Sequence, residues 1–427
     1  MKANKLSMLL SRFFTERKEH KEKQTEKFKG HISSNFIYCN NYINIIYNAG
    51  KECYAGRKTS DIGDMRNFIS KRVQEGHESI LEHGNFVIGF IIPNTYYKDI
   101  MEFLEVCTFL KTKINVIDDT TYIVLGGSPR AYKHVIRFIK SSNNVLLGEL
   151  LDILYIHTDS CLYTDLINDG IMKDEKAFLN ESTSKALVNE SYREVCSPQI
   201  EYNILNVDNC NYIVQDKSDN ISVYDILKDK YMLTKKDMLD LFTITVYFKN
   251  MSRIISQQLT RHRNAITQQS QRYINYEHGV FNSPVKFKEG TYDSNLKYTV
   301  ELLGNKVTGN LQELGDGLVG VYKQLSSGPN KLIKEDARAY LPNNVATSLY
   351  ITFTFTNFIH FLALRSERHA QAEIRLFALS LINDIEKYSI DILGFKSFDQ
   401  LKNTIQPLYK YKEETTNEYN DIDEIID

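Results

Sequence analysis

The run Phe86-Val87-Ile88-Gly89-Phe90-Ile91-Ile92 carries no polar side chain and reads as a strand. A second strand signal lies far along the chain. Phe242-Thr243-Ile244-Thr245-Val246-Tyr247-Phe248 alternates apolar and polar positions. Helix-like stretches run from Met65 to Glu75, Tyr97 to Lys111, Ala131 to Ser141 and Val145 to Ile156, and Thr121-Tyr122-Ile123-Val124-Leu125 reads as another strand. Tyr42 to Tyr54 reads as a strand and helix, and Met251 to Thr260 as a helix with apolar residues at helical spacing. Residues 160 to 235 are polar and weakly patterned, punctuated by Asp, Asn and Ser.

With 427 residues the chain has room for two domains or one enlarged domain with a substantial core. A net charge of −2 argues against a general nucleic-acid binder, so any phosphate recognition is local. No apolar run approaches the roughly 20 residues that span a bilayer, and the start of the chain lacks a signal-peptide cleavage pattern. The cysteines Cys39, Cys53, Cys107, Cys161, Cys196 and Cys210 are scattered without a CxxC pair. Reduced thiols in a cytoplasmic protein without membrane or nucleic-acid partners are the expectation. Residues 1–30 read as a charged extension and 412–427 as an acidic tail.

Three stretches carry chemistry. In Arg261-His262-Arg263-Asn264-Ala265-Ile266-Thr267-Gln268-Gln269-Ser270-Gln271-Arg272-Tyr273, three arginines and a histidine stand among amides and hydroxyls, with no acidic residue. Guanidinium forks bind phosphate bidentately, and short polar side chains fix an anion's orientation. A solvated basic helix end is the bland alternative, and a phosphate-bearing ligand at the end of the preceding helix is the sharper one. The chain then passes through a polar loop. Gly76-His77-Glu78-Ser79-Ile80-Leu81-Glu82-His83 follows a helix and precedes a strand, with spacing that matches neither HExxH nor a Cys/His zinc pattern, so no metal is expected. In Ala337-Arg338-Ala339-Tyr340-Leu341-Pro342-Asn343, Arg338 lies close to Pro342. A helix follows that carries Arg365 and His369 on one face by their i, i+4 spacing. Its Glu367, Arg368, Glu373 and Arg375 are expected in water, and Phe361, Leu362, Ile374 and Phe377 in the core.

Together these stretches resemble the flavin-dependent thymidylate synthases, the ThyX family. That family carries Arg-His-Arg followed by Ser-x-Arg-Tyr, the run GHxSxxEH, and the pair ARxxLP and LRxxxHAQxEIR. The resemblance implies an α/β (α+β) fold, a central sheet flanked by helices, in a homotetramer whose sites are built from several subunits. It also implies an enzyme that methylates dUMP at C5, with FAD as cofactor, methylenetetrahydrofolate as carbon donor and NADPH as reductant. By residue match, Gln258, Gln268, Ser270, Arg272, Arg338 and Arg365 would hold dUMP, with Arg365 and Ser270 catalytic. Arg272 and Arg338 would face the phosphate, and Arg365 the pyrimidine. His77, Ser79, Glu82, Arg261, His262, Arg263 and His369 would contact FAD. Two other readings are a non-catalytic flavin- or nucleotide-binding relative and a flavin- and folate-dependent methyltransferase of uridine in RNA.

The chain departs from the family in several places. The loop from Arg263 to Ser270 is one residue short, Gln268 replaces a common Glu, and His360 a common Asn. Thr354 and Thr356 stand where relatives carry a flavin-holding Asn and Arg. Catalytic segments 31–92 and 237–411 are separated by a segment, 93–236, that reads as an insertion. We expect its ends, near Pro93 and Lys236, to lie close together, with strands 86–92 and 242–248 as neighbours in one sheet and the insertion emerging from the surface. Within it, Gly126-Gly127-Ser128-Pro129-Arg130-Ala131 joins a strand to a helix. That is either a plain turn or an anion-binding one whose Arg130 substitutes for a missing flavin contact.

Overall fold

The computed structural model describes residues 32–54, 56, 58–172, 193–197, 200–207, 223–272, 297–302, 304–327, 332–343, 345–367 and 369–387. The extension 1–30 and the tail 412–427 lie outside these residues. The strands are β1 (Ser33–Cys39), β2 (Phe86–Pro93), β3 (Lys111–Ile117), β4 (Thr120–Gly127), β5 (Arg193–Ser197), β6 (Ile200–Val207), β7 (Thr243–Ser252), β8 (Ala265–Gln268), β9 (Lys297–Leu302), β10 (Asn305–Asn310) and β11 (Ala346–Thr354). The helices of eight residues or more are α1 (Tyr42–Tyr54), α2 (Ile62–Gln74), α3 (Tyr97–Val106), α4 (Pro129–Ile136), α5 (Val145–His157), α6 (Arg253–Thr260), α7 (Leu311–Ser327), α8 (Phe355–Arg365) and α9 (Ala372–Lys387).

The fold is mixed α/β, with antiparallel sheets flanked by helices. One sheet runs β1-β2-β4-β3, another β5-β6-β7-β11-β8, and β9 and β10 form a separate hairpin. The composition of β2 explains its place. Phe86, Ile88, Phe90 and Ile92 enter one core with α1, α2, α3, α4 and α5, while Val87 and Ile91 enter a second core with Leu241, Phe242 and β7. A strand covered on both faces is apolar throughout. Each such side chain contributes about 1.5–3 kcal/mol on burial. Gly89 lets the backbone approach Tyr231, whose ring would lie 2.3 Å from an added Cβ.

The second sheet is two-faced. Ile244, Val246 and Phe248 of β7 and Leu349, Ile351 and Phe353 of β11 pack with α8 and α9. Thr243, Thr245, Thr352 and Thr354 alternate with them, so they lie on the opposite face. That polar face receives the Gly-His turn.

The expected strand neighbourhood is not found. β2 pairs with β1 and β4, and β7 pairs with β6 and β11, in different sheets. Nor does 93–236 stand apart as a surface module. Its β4 and β3 complete the first sheet, and its β6 borders β7. The physical reason lies in β2, whose backbone needs a partner on each edge and whose apolar side chains need cover on each face.

Local expectations also change. The helix from Tyr97 stops at Val106, and Lys111 begins β3. The strand read near Tyr42 is β1, which precedes α1. The polar loop after Arg263 contains β8, paired with β11. α8 ends at Arg365 and α9 begins at Ala372, so Arg365 and His369 do not share a helix face. Glu373, expected in water, is 2% exposed and accepts hydrogen bonds from Ser252 N (2.9 Å) and Ser252 Oγ (2.6 Å). The core positions Phe361, Leu362, Ile374 and Phe377 are buried as expected. No helix among the described residues is long and apolar enough to cross a membrane.

Candidate cofactor and substrate site

Gly76 ends α2 with φ of +78°, a conformation that glycine adopts without steric cost. The chain then forms a tight 3-10 turn, Glu78–His83, ahead of β2. His83 is fully buried, its Nδ1 2.9 Å from Thr352 Oγ1 and its Nε2 2.8 Å from Thr267 Oγ1. Burial pushes the imidazole down to about 3, so it is neutral and docks the turn onto the polar face of the second sheet.

Helix α4 holds the other side of this turn. Ser128 caps it by accepting from Ala131 N at 3.3 Å. Lys133 Nζ, without solvent exposure, lies 2.6 Å from Glu78 and 2.5 Å from Asp165. Arg137 reaches the same carboxylates at 3.2 and 2.9 Å. Burial raises the Asp165 carboxyl, but bonds to Lys133 and Arg137 outweigh it and hold it below its ordinary value. One step along the helix, Arg130 is ion-paired with Glu82.

The arginine turn is built by α6, capped by Ser252, whose Oγ accepts from Ile255 N at 3.4 Å. The chain reverses at Arg263, a non-glycine residue at φ of +52°, and enters β8. A residue held in this left-handed region stores backbone strain, which is common at functional sites. Next to it, Arg365 Nε donates to His262 Nε2 at 3.1 Å. Burial, then the charges of Arg365, His360 and Arg261, pushes His262 down to about 4, leaving a neutral imidazole that can accept this bond. Asn357 Nδ2 donates to Asn264 Oδ1 at 3.0 Å, which joins the turn to the start of α8.

These elements border one cavity of about 620 Å³. Its walls include Glu82 of the Gly-His turn, Arg263 and Asn264 of the arginine turn, Asn357 and Thr354 at the start of α8, and Arg130. Burial raises the Asp240 carboxyl in the same wall, but bonds from Lys113 and Thr356 prevail and hold it below its ordinary value.

Of the predicted site residues, Glu82 and Arg263 line this cavity, and the others are not among its lining residues. Gln258 Nε2 donates to Gln371 Oε1 at 2.9 Å. Gln268 Nε2 donates to Ser256 Oγ and Thr347 Oγ1, each at 3.1 Å. Ser270 N donates to Cys53 O at 3.2 Å, and its Oγ accepts from Arg272 N at 3.2 Å. Arg272 and Arg338 come together at Glu335. Arg272 pairs with its carboxylate, and Arg338 Nε donates to its backbone oxygen at 3.0 Å. His77, Ser79, Arg261 and His369 are exposed, and Tyr273 lies outside the described residues. The sequence reading gave no individual role to Asn264 and Thr267, which stand in the arginine stretch it singled out, and missed Asn357, Thr352 and Glu335. Of these, only Asn357 carried a local signal, its position in the first turn of a helix three residues after a capping threonine.

The family model described as "Thymidylate synthase complementing protein" matches residues 190–388. A flavin-dependent thymidylate synthase of Corynebacterium efficiens is 31% identical over 75 residues, covering 16% of this chain and 30% of that protein. One from Wolbachia pipientis wMel is 40% identical over 57 residues, covering 13% of this chain and 20% of that protein. The chain thus spans under a third of the length of either relative in these matches.

Proposed function

We propose, from its membership of the flavin-dependent thymidylate synthase family, that the chain converts dUMP to dTMP by reductive methylation. Methylenetetrahydrofolate would be the carbon donor, NADPH the reductant and FAD the cofactor. The observation that carries this reading is the shared cavity, in which Glu82 and Arg263, from motifs far apart in sequence, face one space of about 620 Å³. The residues fit a flavin nucleotide, since the cavity has fixed cations for phosphate and lies within the size range of ligand sites. When bound, the flavin supplies the redox chemistry, and the protein supplies orientation and electrostatics.

In this reading His77, Ser79, Glu82, Arg261, His262, Arg263 and His369 hold the flavin. Gln258, Gln268, Ser270, Arg272, Arg338 and Arg365 hold dUMP. Arg272 and Arg338 bind its phosphate, which competes with Glu335 for the Arg272 guanidinium. The neutral His262 orients Arg365 by accepting from Nε. Arg365 would then face the pyrimidine, where a fixed cation stabilises negative charge that develops on the ring. None of these steps needs a cysteine nucleophile. A cytoplasmic homotetramer completes the proposal.

Two experiments test it. Purified full-length protein is expected to bind FAD and to form dTMP from dUMP, the carbon donor and NADPH. Expression is also expected to rescue a thymidine-requiring strain. FAD binding without turnover or rescue favours the non-catalytic reading, and methylation of uridine in RNA without dTMP favours the other. Absence of FAD binding rejects the flavin assignment.

A further inference from the structure

One wall of the cavity comes from a segment that the family match does not include. Residues 126–131, like Glu82, precede the matched range 190–388, and Gly126, Gly127, Ser128 and Arg130 line the same space as Glu82 and Arg263. Arg130, Lys133 and Arg137 are spaced three and four apart, so α4 turns one basic face to the Gly-His turn. The three differ in what is left over after pairing. Lys133 is fully buried between two carboxylates, and Arg137 bridges the same two. Arg130 pairs with Glu82 alone among these carboxylates and keeps a side chain 37% exposed at the cavity. Its Nε is buried with no hydrogen-bond partner among the described residues. A guanidinium with one nitrogen on a carboxylate and another donor unmatched has capacity for a further acceptor.

The charge balance of the cavity points to the same ligand class. Its carboxylates are answered within the protein, Glu82 by Arg130, and Asp240 by Lys113 at 2.7 Å and Thr356 at 2.6 Å. Arg263 and Lys111 also line it, and no carboxylate among the described residues lies within ion-pair distance of either. The excess is cationic and carried by three separate elements, which suits a group carrying more than one phosphate.

We infer that Arg130, at the cavity with Arg263, binds the diphosphate of the flavin dinucleotide, so that α4 supplies a residue of the cofactor site. The inference rests on the flavin reading above and adds a residue and a ligand moiety to it.

The test compares FAD with riboflavin, which has the same ring and no phosphate. Both are titrated by fluorescence against the full-length protein and its Arg130→Gln and Arg130→Lys variants, with thermal melts as the folding control. Arg130→Gln is expected to weaken FAD roughly ten- to a hundredfold, the scale of one charge-assisted hydrogen bond. Riboflavin affinity is expected to stay unchanged, and Arg130→Lys, which keeps a cation beside Glu82, to recover part of the loss. Equal losses for FAD and riboflavin would show that Arg130 only positions Glu82, and overturn the inference. An unchanged FAD affinity in a folded Arg130→Gln variant also overturns it. A wild-type protein that binds neither flavin rejects the flavin reading itself, a result distinct from either.

Discussion

Single side chains set two measurable properties. His83 is neutral in the folded protein because burial pushes it from 6.5 down to about 3. In the unfolded chain the same imidazole takes up a proton near its ordinary value. The unfolded state therefore binds more protons as the pH falls, and stability is lost from about pH 6.5 towards about 3. The loss is about 1.4 kcal/mol per pH unit for one proton. His83→Gln is expected to be less stable at pH 7 but to show a shallower loss across that window, checked by urea melts at stepped pH. Parallel slopes for the two proteins would refute the assignment. Arg272→Ala and Arg338→Ala are each expected to weaken dUMP by roughly 1.5–3 kcal/mol, the cost of losing a charge-assisted phosphate contact, with FAD still bound. Calorimetric titration of both ligands checks this, and loss of FAD with normal dUMP binding would reverse the roles.

At the scale of elements, contacts between distant segments hold the site. Glu373, in the first turn of α9, accepts from Ser252 N and Oγ at 2.9 and 2.6 Å, where Ser252 begins α6. An acidic group there also favours the positive end of the α6 dipole. Burial raises the carboxyl, while the two Ser252 bonds lower it in part. Glu373→Ala leaves buried donors unmatched and is expected to cost roughly 1–3 kcal/mol. Glu373→Gln, which retains an acceptor, is expected to cost less. Thermal melts of the two variants decide, and equal losses would mean that packing rather than hydrogen bonding is at stake.

For the whole molecule the question is whether 93–236 can be removed. β4 pairs with β2 along its length, and β2 carries the chain out of the Gly-His turn. Removing the segment would expose an edge of β2 and the fully buried Phe86, Ile88, Phe90 and Ile92. A chain with 93–236 replaced by a short linker is therefore expected to lack a cooperative unfolding transition. Cooperative melting with native-like circular dichroism in that chain would show the segment to be dispensable to the fold.

Much was legible in the sequence because it is locally encoded. The seven-residue apolar run gave β2, the alternation at 242–248 gave β7, and the glycine, serine and proline of 126–129 gave the turn into α4. The resemblance of three motifs, in order, to those of a known family pointed to that family from the sequence alone. The sheet partners of β2 and β7 were not legible, since apolar character reports burial and not which strand provides it. Nor was the break between Arg365 and Ala372, because helical spacing of side chains persists whether or not the backbone continues. Glu373 looked like a solvated charge because its partner Ser252 is 121 positions away. The cavity itself belongs to tertiary structure alone. Glu82, Arg130, Arg263 and Asn357 meet only because two sheets and α4 pack around one turn, and sequence separation carries no information about such distances.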